Sequence, residues 1–318
     1  MDWTSPPPDW PRMALFALVL PIAIVLLGLG VRALLARVLA KPDGSAPAWL
    51  AVLPALSFAA AFVPAEYGVR GWPISWFPWP PNGADRGLFV AIGIALPLAL
   101  ASLRFVPGLG RYALIGAASA YGFVAATVRL VSNEQVSLPV YVAIAIAIAI
   151  AGGIVAHALA TTERIARSGS VVISALPAFM LSYPVLLVLA YTEPVSRHVA
   201  TLGAIVGTAT AFALLIEKQR IEAASWGVVL ALLAYMLSTA AVWDELPIIA
   251  AVLIFISPAA IYVGNARELR RAPSWVRCGA RVIVVSLVVA AAFWPALENW
   301  QAIESQRADD PYADLYDE

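Results

Sequence analysis

The residues with chemical potential in this chain are few, and most are not ionisable. Two apolar runs carry prolines flanked by hydroxyls. One, ALPAFMLSYPVLL, holds Pro177 and Pro184 one heptad apart, with Ser182 and Tyr183 beside the second; the other, LPIIAAVLIFISPAA, holds Ser257 and Pro258. Proline lacks the N–H that a helix needs and frees a carbonyl one turn back. Paired broken helices of that kind can form a solute site. Ser182, Tyr183, Pro184, Ser257 and Pro258 are therefore candidate substrate-binding residues, with Tyr121 and Tyr235 as further hydroxyls able to line a cavity. The same features also read as ordinary kinks whose gaps are filled by serine, and as hydrogen bonds between helices.

Hydrolytic or metal chemistry has thinner support. His198, Glu193, Asp244 and Glu245 fall at the ends of apolar runs on one side. They match no HExxH, GxSxG or CxxC pattern, and a solvated acidic rim accounts for them as well. The two histidines, His157 and His198, are too few for a histidine-rich metal or haem centre, so no metal and no cofactor is expected. One cysteine, Cys278, excludes an intrachain disulfide.

These residues must be held by helices in lipid. Apolar types fill 62% of 318 positions and charged types 13%, against roughly 45–50% and about 25% in soluble domains. Ten runs reach the roughly 17–25 residues of a membrane span: near 13–31, 47–64, 87–104, 110–131, 138–158, 170–191, 198–216, 224–243, 246–264 and 279–297. The repeat AIAIAIAIA at 143–151 imitates a strand by its period of two. A lone strand in hydrocarbon leaves its backbone unpaired, so a helix is expected there. The first run is not a signal peptide, because Asp2 and Asp9 precede it and Arg32, Arg37 and Lys41 follow it. The whole chain, 1–318, reads as one all-α integral membrane domain.

Charge sets the expected orientation. Connections after odd-numbered spans carry fourteen basic and five acidic residues, and the remaining segments six and fifteen, giving +9 and −9. Basic loops stay in the cytoplasm, so both termini lie outside a cell (inner, cytoplasmic) membrane. No ionisable residue falls near the centre of a span, which argues against ion coupling. The eleven tryptophans sit at span ends or in loops, eight of them on the outer side. Trp72, Trp76 and Trp79 crowd the proline-rich outer loop 65–86, a surface suited to docking a partner or lipid. The acidic tail from 304 to 318 reads as flexible.

Small-residue stripes, Gly203, Gly207 and Ala211 in one run and Ala145, Ala149, Gly153 and His157 in another, suit close helix contact within the chain or with partner membrane subunits. Three readings follow: a permease or facilitator for a neutral, amphipathic or lipidic solute; a non-catalytic subunit of a membrane complex; and an enzyme acting on a lipid-linked substrate at the outer face. Nucleic acid is not an expected partner at zero net charge. Topology reporters fused in the connection 267–281 and after residue 318 should report opposite sides of the membrane. Finding both on one side would reverse the assignment.

Overall fold

The structure, a computed structural model, describes residues 10–40, 47–64, 83–104, 108–133, 135–165, 193–215, 223–243 and 246–308. The expected span at 170–191 lies outside them, as do Trp72, Trp76 and Trp79. The described residues are almost wholly helical and contain no strand. Helix α1 runs through Trp10–Met13, a π-helical turn Ala14–Val19 and Leu20–Val38. Helix α2 enters through a 3-10 turn, Ala48–Ala51, and continues as Val52–Ala60. Then come α3 (Gly83–Arg104), α4 (Leu109–Ser132), α5 (Leu138–Ile165), α6 (Glu193–Leu215) and α7 (Ala223–Trp243). Helix α8 is α-helical over Ile248–Ile256 and 3-10 over Ser257–Asn265, and α9 is Ser274–Ala308.

Six described helices are long and apolar enough to cross a membrane: Ala14–Val38, Leu109–Val131, Leu138–Thr162, Ser225–Val242, Ile248–Asn265 and Ser274–Ile303. Shorter apolar stretches, Trp49–Pro64, Ala91–Ala101 and Ala200–Phe212, coincide with three more of the expected runs. Several helices overrun those runs. Helix α3 starts inside the proline-rich loop, and α9 continues to Ala308, so the acidic tail begins as helix. Hydropathy marks the hydrocarbon; a helix ends only where its backbone finds another partner.

Large aliphatic side chains cover the outside of the bundle as well as filling its core. Exposed on α5 are Val140, Val142, Ile144, Ile146, Ile150 and Ile154, and α1 and α9 likewise expose large aliphatic residues. Buried positions are rich in alanine, among them Ala55, Ala91, Ala95, Ala99, Ala118, Ala231 and Ala292. Water would penalise such a surface, whereas lipid tails solvate it. The AIAIAIAIA segment is helix, and its isoleucines fall on several sides because a period of two does not match 3.6 residues per turn.

Helix α7 is the hub. Every residue from Ser225 to Leu237 is buried, and α2, α3, α4, α5, α6 and α8 all touch it. Trp226 is accordingly 2% exposed, not an interfacial anchor as its place near a span end implies. Helix α4 wedges between α5 and α7 on two glycines. Gly116 lies on the Ala149 carbonyl and Gly122 on the Ala231 carbonyl, each too close to admit a Cβ. Six residues apart, they face directions about a third of a turn from each other. Gly153 sits against the Tyr112 carbonyl, so the stripe on α5 packs against α4. The other end of this pair is tied by Tyr141, whose hydroxyl meets Thr127 Oγ1 at 3.2 Å.

Substituting Gly122 by valine should push α7 away from α4 and cost about 1–3 kcal/mol. Gly93→Ala, where nothing lies within 4 Å of the added methyl, should be neutral or slightly stabilising. Unfolding midpoints of the purified chain in detergent would separate the two.

Candidate functional site

Two proline breaks are repaired in the same way. In a regular helix the carbonyl of Ile254 would accept from the N–H of residue 258, which is proline. Ser257 donates to that carbonyl from its backbone N–H and also from Oγ, the latter at 2.8 Å, and Ser257 is wholly buried. In α1 the corresponding carbonyl is Ala17, four residues before Pro21. Thr201 Oγ1, reaching over from α6, donates to it at 3.1 Å. One repair is local, and the other joins two helices.

After Ser257, α8 winds more tightly. Its buried positions, Ala250, Ala251, Ile254 and Phe255 on the α-helical part, continue as Ser257, Pro258, Ile261, Gly264 and Asn265 on the 3-10 part. Eighteen residues of α-helix would span about 27 Å. Nine α-helical and nine 3-10 residues span about 31 Å, the thickness of the hydrocarbon core. The extra reach delivers Gly264 and Asn265 to the side of α9.

There they meet Arg281. The sequence places this arginine with the loop charges, but it stands about two turns inside α9 and is 1% exposed. Its Nη2 donates to Asn265 Oδ1 at 3.1 Å, and Asn265 Nδ2 donates to Thr162 Oγ1 of α5 at 2.9 Å. Thr162 and Asn265 are both buried. The chain of donors runs in one sense. A guanidinium can only donate, so it takes the amide oxygen, leaving the amide N–H for a hydroxyl that can accept. Gly264 completes the seat, since a Cβ there would run into Nε and Cγ of Arg281. Three helices are thus tied at one level by a buried cation, an amide and a hydroxyl.

The cluster holds a positive charge and hydrogen-bonding groups inside the bundle, and its three side chains include no carboxylate, imidazole or thiol. Among the described residues no three of His, Cys, Asp and Glu gather closely enough to hold a metal ion. Cys278, half-buried, precedes Arg281 by three residues on α9.

Other candidates are dispersed. Ser257 and Pro258 are buried in α8, Tyr235 is buried on the hub, and Tyr121 is half-buried on α4. Ser182, Tyr183 and Pro184 lie outside the described residues, as do Asp244 and Glu245. Glu193 and His198 stand in the first two turns of α6. His157 is exposed, 3.4 Å from Thr161 Oγ1, with its ring edge-on to Tyr112 at 4.9 Å. Thr162, Asn265, Arg281 and the Ala17–Thr201 contact are absent from the sequence-derived candidates. A signal existed for two of them: Asn265 ends an apolar run, and Arg281 follows four arginines but leads directly into another.

No protein-family model, curated protein or solved structure matches this chain. The site therefore stands on its own geometry.

Asn265→Leu should strip the arginine of its amide partner and destabilise the fold by about 1.5–3 kcal/mol, with Thr162→Val costing about 1 kcal/mol. Because Thr162 acts through Asn265, the double variant should cost little more than Asn265→Leu alone. Denaturant titration in micelles measures all three, and strict additivity would show that the side chains do not act as one unit.

Proposed function

We propose that this chain is a permease or facilitator of a cell (inner, cytoplasmic) membrane for an amphipathic or lipidic solute, with both termini outside. The observation that carries this reading is α8, broken at Ser257–Pro258 and ending in the Thr162–Asn265–Arg281 cluster. Broken spans are where membrane transporters expose backbone polar groups to what they move. A buried cationic side chain within a membrane bundle marks a functional region by default. In this reading Ser182, Tyr183 and Pro184 are the sequence-derived candidates for binding the solute, and Tyr121 and Tyr235 add hydroxyls from α4 and α7. Ser257 is already committed to its own helix, so it shapes the break more than it touches the solute. A strictly neutral solute suits a path without charge; the burial of Arg281 widens the range to solutes with an anionic or carbonyl head.

A subunit of a membrane complex is the second reading. It is favoured by the large aliphatic side chains that α5 exposes between Leu138 and Ile154. The small-residue stripe of α5 packs inside the chain, so a partner would meet large aliphatic side chains there. An enzyme at the outer face would need Glu193, His198, Asp244 and Glu245 brought together.

Reconstitution into liposomes tests the first reading. Translocation of a fluorescent phosphatidylcholine analogue and efflux of an entrapped amphipathic dye should be followed side by side. At least one should exceed the rate in empty vesicles, and Pro258→Ala, which restores the N–H to Ile254, should lower that rate roughly tenfold. Protein-containing vesicles no leakier than empty ones to either probe would overturn it.

A further inference from the structure

The connection between α8 and α9 is built more firmly than a loop needs to be. Its backbone closes in steps of three: the N–H of Ala266 bonds the Val263 carbonyl, Leu269 bonds Ala266, and Ala272 bonds Leu269, at 3.0–3.1 Å. Arg277 N–H then bonds the Pro273 carbonyl at 3.2 Å, starting α9. Both ends are pinned from within, because Asn265 and Arg281 bond each other under the connection. A turn held this way presents its side chains in a fixed pattern.

That pattern is sorted. Ala266, Leu269 and Ala272 are partly covered, while Arg267, Glu268 and Arg271 are exposed. No hydrogen bond or ion pair to another described residue engages the guanidinium of Arg267 or Arg271. Large apolar groups flank the turn on both sides: Tyr262 and Val263 on the last turn of α8, and Trp275, 75% exposed, on the first turn of α9. Exposed aromatics at this level belong to the headgroup layer of a bilayer. Arg267, Arg271 and the half-buried Arg277 outweigh Glu268 in charge.

We propose that this connection binds the phosphate headgroup of an anionic phospholipid. Arg267 and Arg271, on a pre-set turn, take the phosphate oxygens, Trp275 lies at the glycerol level, and Tyr262 and Val263 receive the upper acyl chain. Arginine suits this task because its planar fork matches phosphate oxygens in pairs. The cost of ordering the loop is met in advance by the buried cluster, so little is lost on binding. Glu268 disfavours a headgroup carrying more than one negative charge close to the turn, so the fit is to a singly charged lipid. This surface is independent of whether the bundle transports anything.

The test uses the full chain purified in mild detergent, titrated with phosphatidylglycerol, with phosphatidylcholine, and with glycerol phosphate in solution. Tryptophan-detected melting and lipid retained in native mass spectra are the readouts. Phosphatidylglycerol should raise the melting midpoint more than phosphatidylcholine does, the excess should shrink with added salt, and glycerol phosphate should have no effect. Arg267→Gln with Arg271→Gln should weaken apparent affinity for phosphatidylglycerol roughly thirty-fold, leaving the response to phosphatidylcholine unchanged. Equal responses to the two lipids in the unaltered chain, or full retention of the preference in the glutamine variant, would overturn the assignment. So would stabilisation by glycerol phosphate equal to that by the lipid. If the glutamine variant does not fold, the lipid comparison and its salt dependence in the unaltered chain decide alone.

Discussion

Inside hydrocarbon a backbone carbonyl has no water to turn to, and most of what is particular about this fold answers to that fact. Helix is the default solution, and the described residues adopt it almost throughout. Proline breaks the solution at a known carbonyl. At Pro258 the carbonyl is met by the serine just before the proline; at Pro21 the freed Ala17 carbonyl is met by a threonine 184 residues from Ala17 in sequence. The first device lets a helix change its winding in mid-membrane. The second converts a local defect into a joint between α1 and α6.

Cohesion comes from proximity, not from the exclusion of water. Lipid tails are as apolar as leucine, so helices gain by approaching closely enough for dispersion and for polar contacts. The glycines of α4 and the alanines around α7 serve that purpose. The Thr162–Asn265–Arg281 cluster adds direction to this packing, because donors and acceptors fit in only one arrangement.

Much of this was legible in residue order. Length and composition of the apolar runs announce the helices, and the AIAIAIAIA segment is settled by length in spite of its period. The small-residue stripe on α5 correctly signals a close approach. Arg281 is the instructive exception. Hydropathy treats an arginine next to a loop as part of the loop, yet two turns of α9 and a partner 16 residues earlier carry it into the bundle. Such burial depends on where α8 ends, and that depends on a change of helix type no window of composition reports. Trp226 illustrates the same limit: its neighbours in space, not in sequence, remove it from the interface.

The tight winding of α8 has a mechanical side. Nine residues at 2.0 Å each are about 4.5 Å longer than the same residues at 1.5 Å, and their last side chain points about half a turn away from where an α-helix would aim it. Were that segment to rewind, its far end would retract by nearly the height of one α-helical turn while swivelling through the same half circle. Asn265 would leave Arg281 in a single motion, with no residue elsewhere in α8 having to move. Length and rotation are thus geared together in this one stretch of backbone, and the arginine is the stop against which the gear rests.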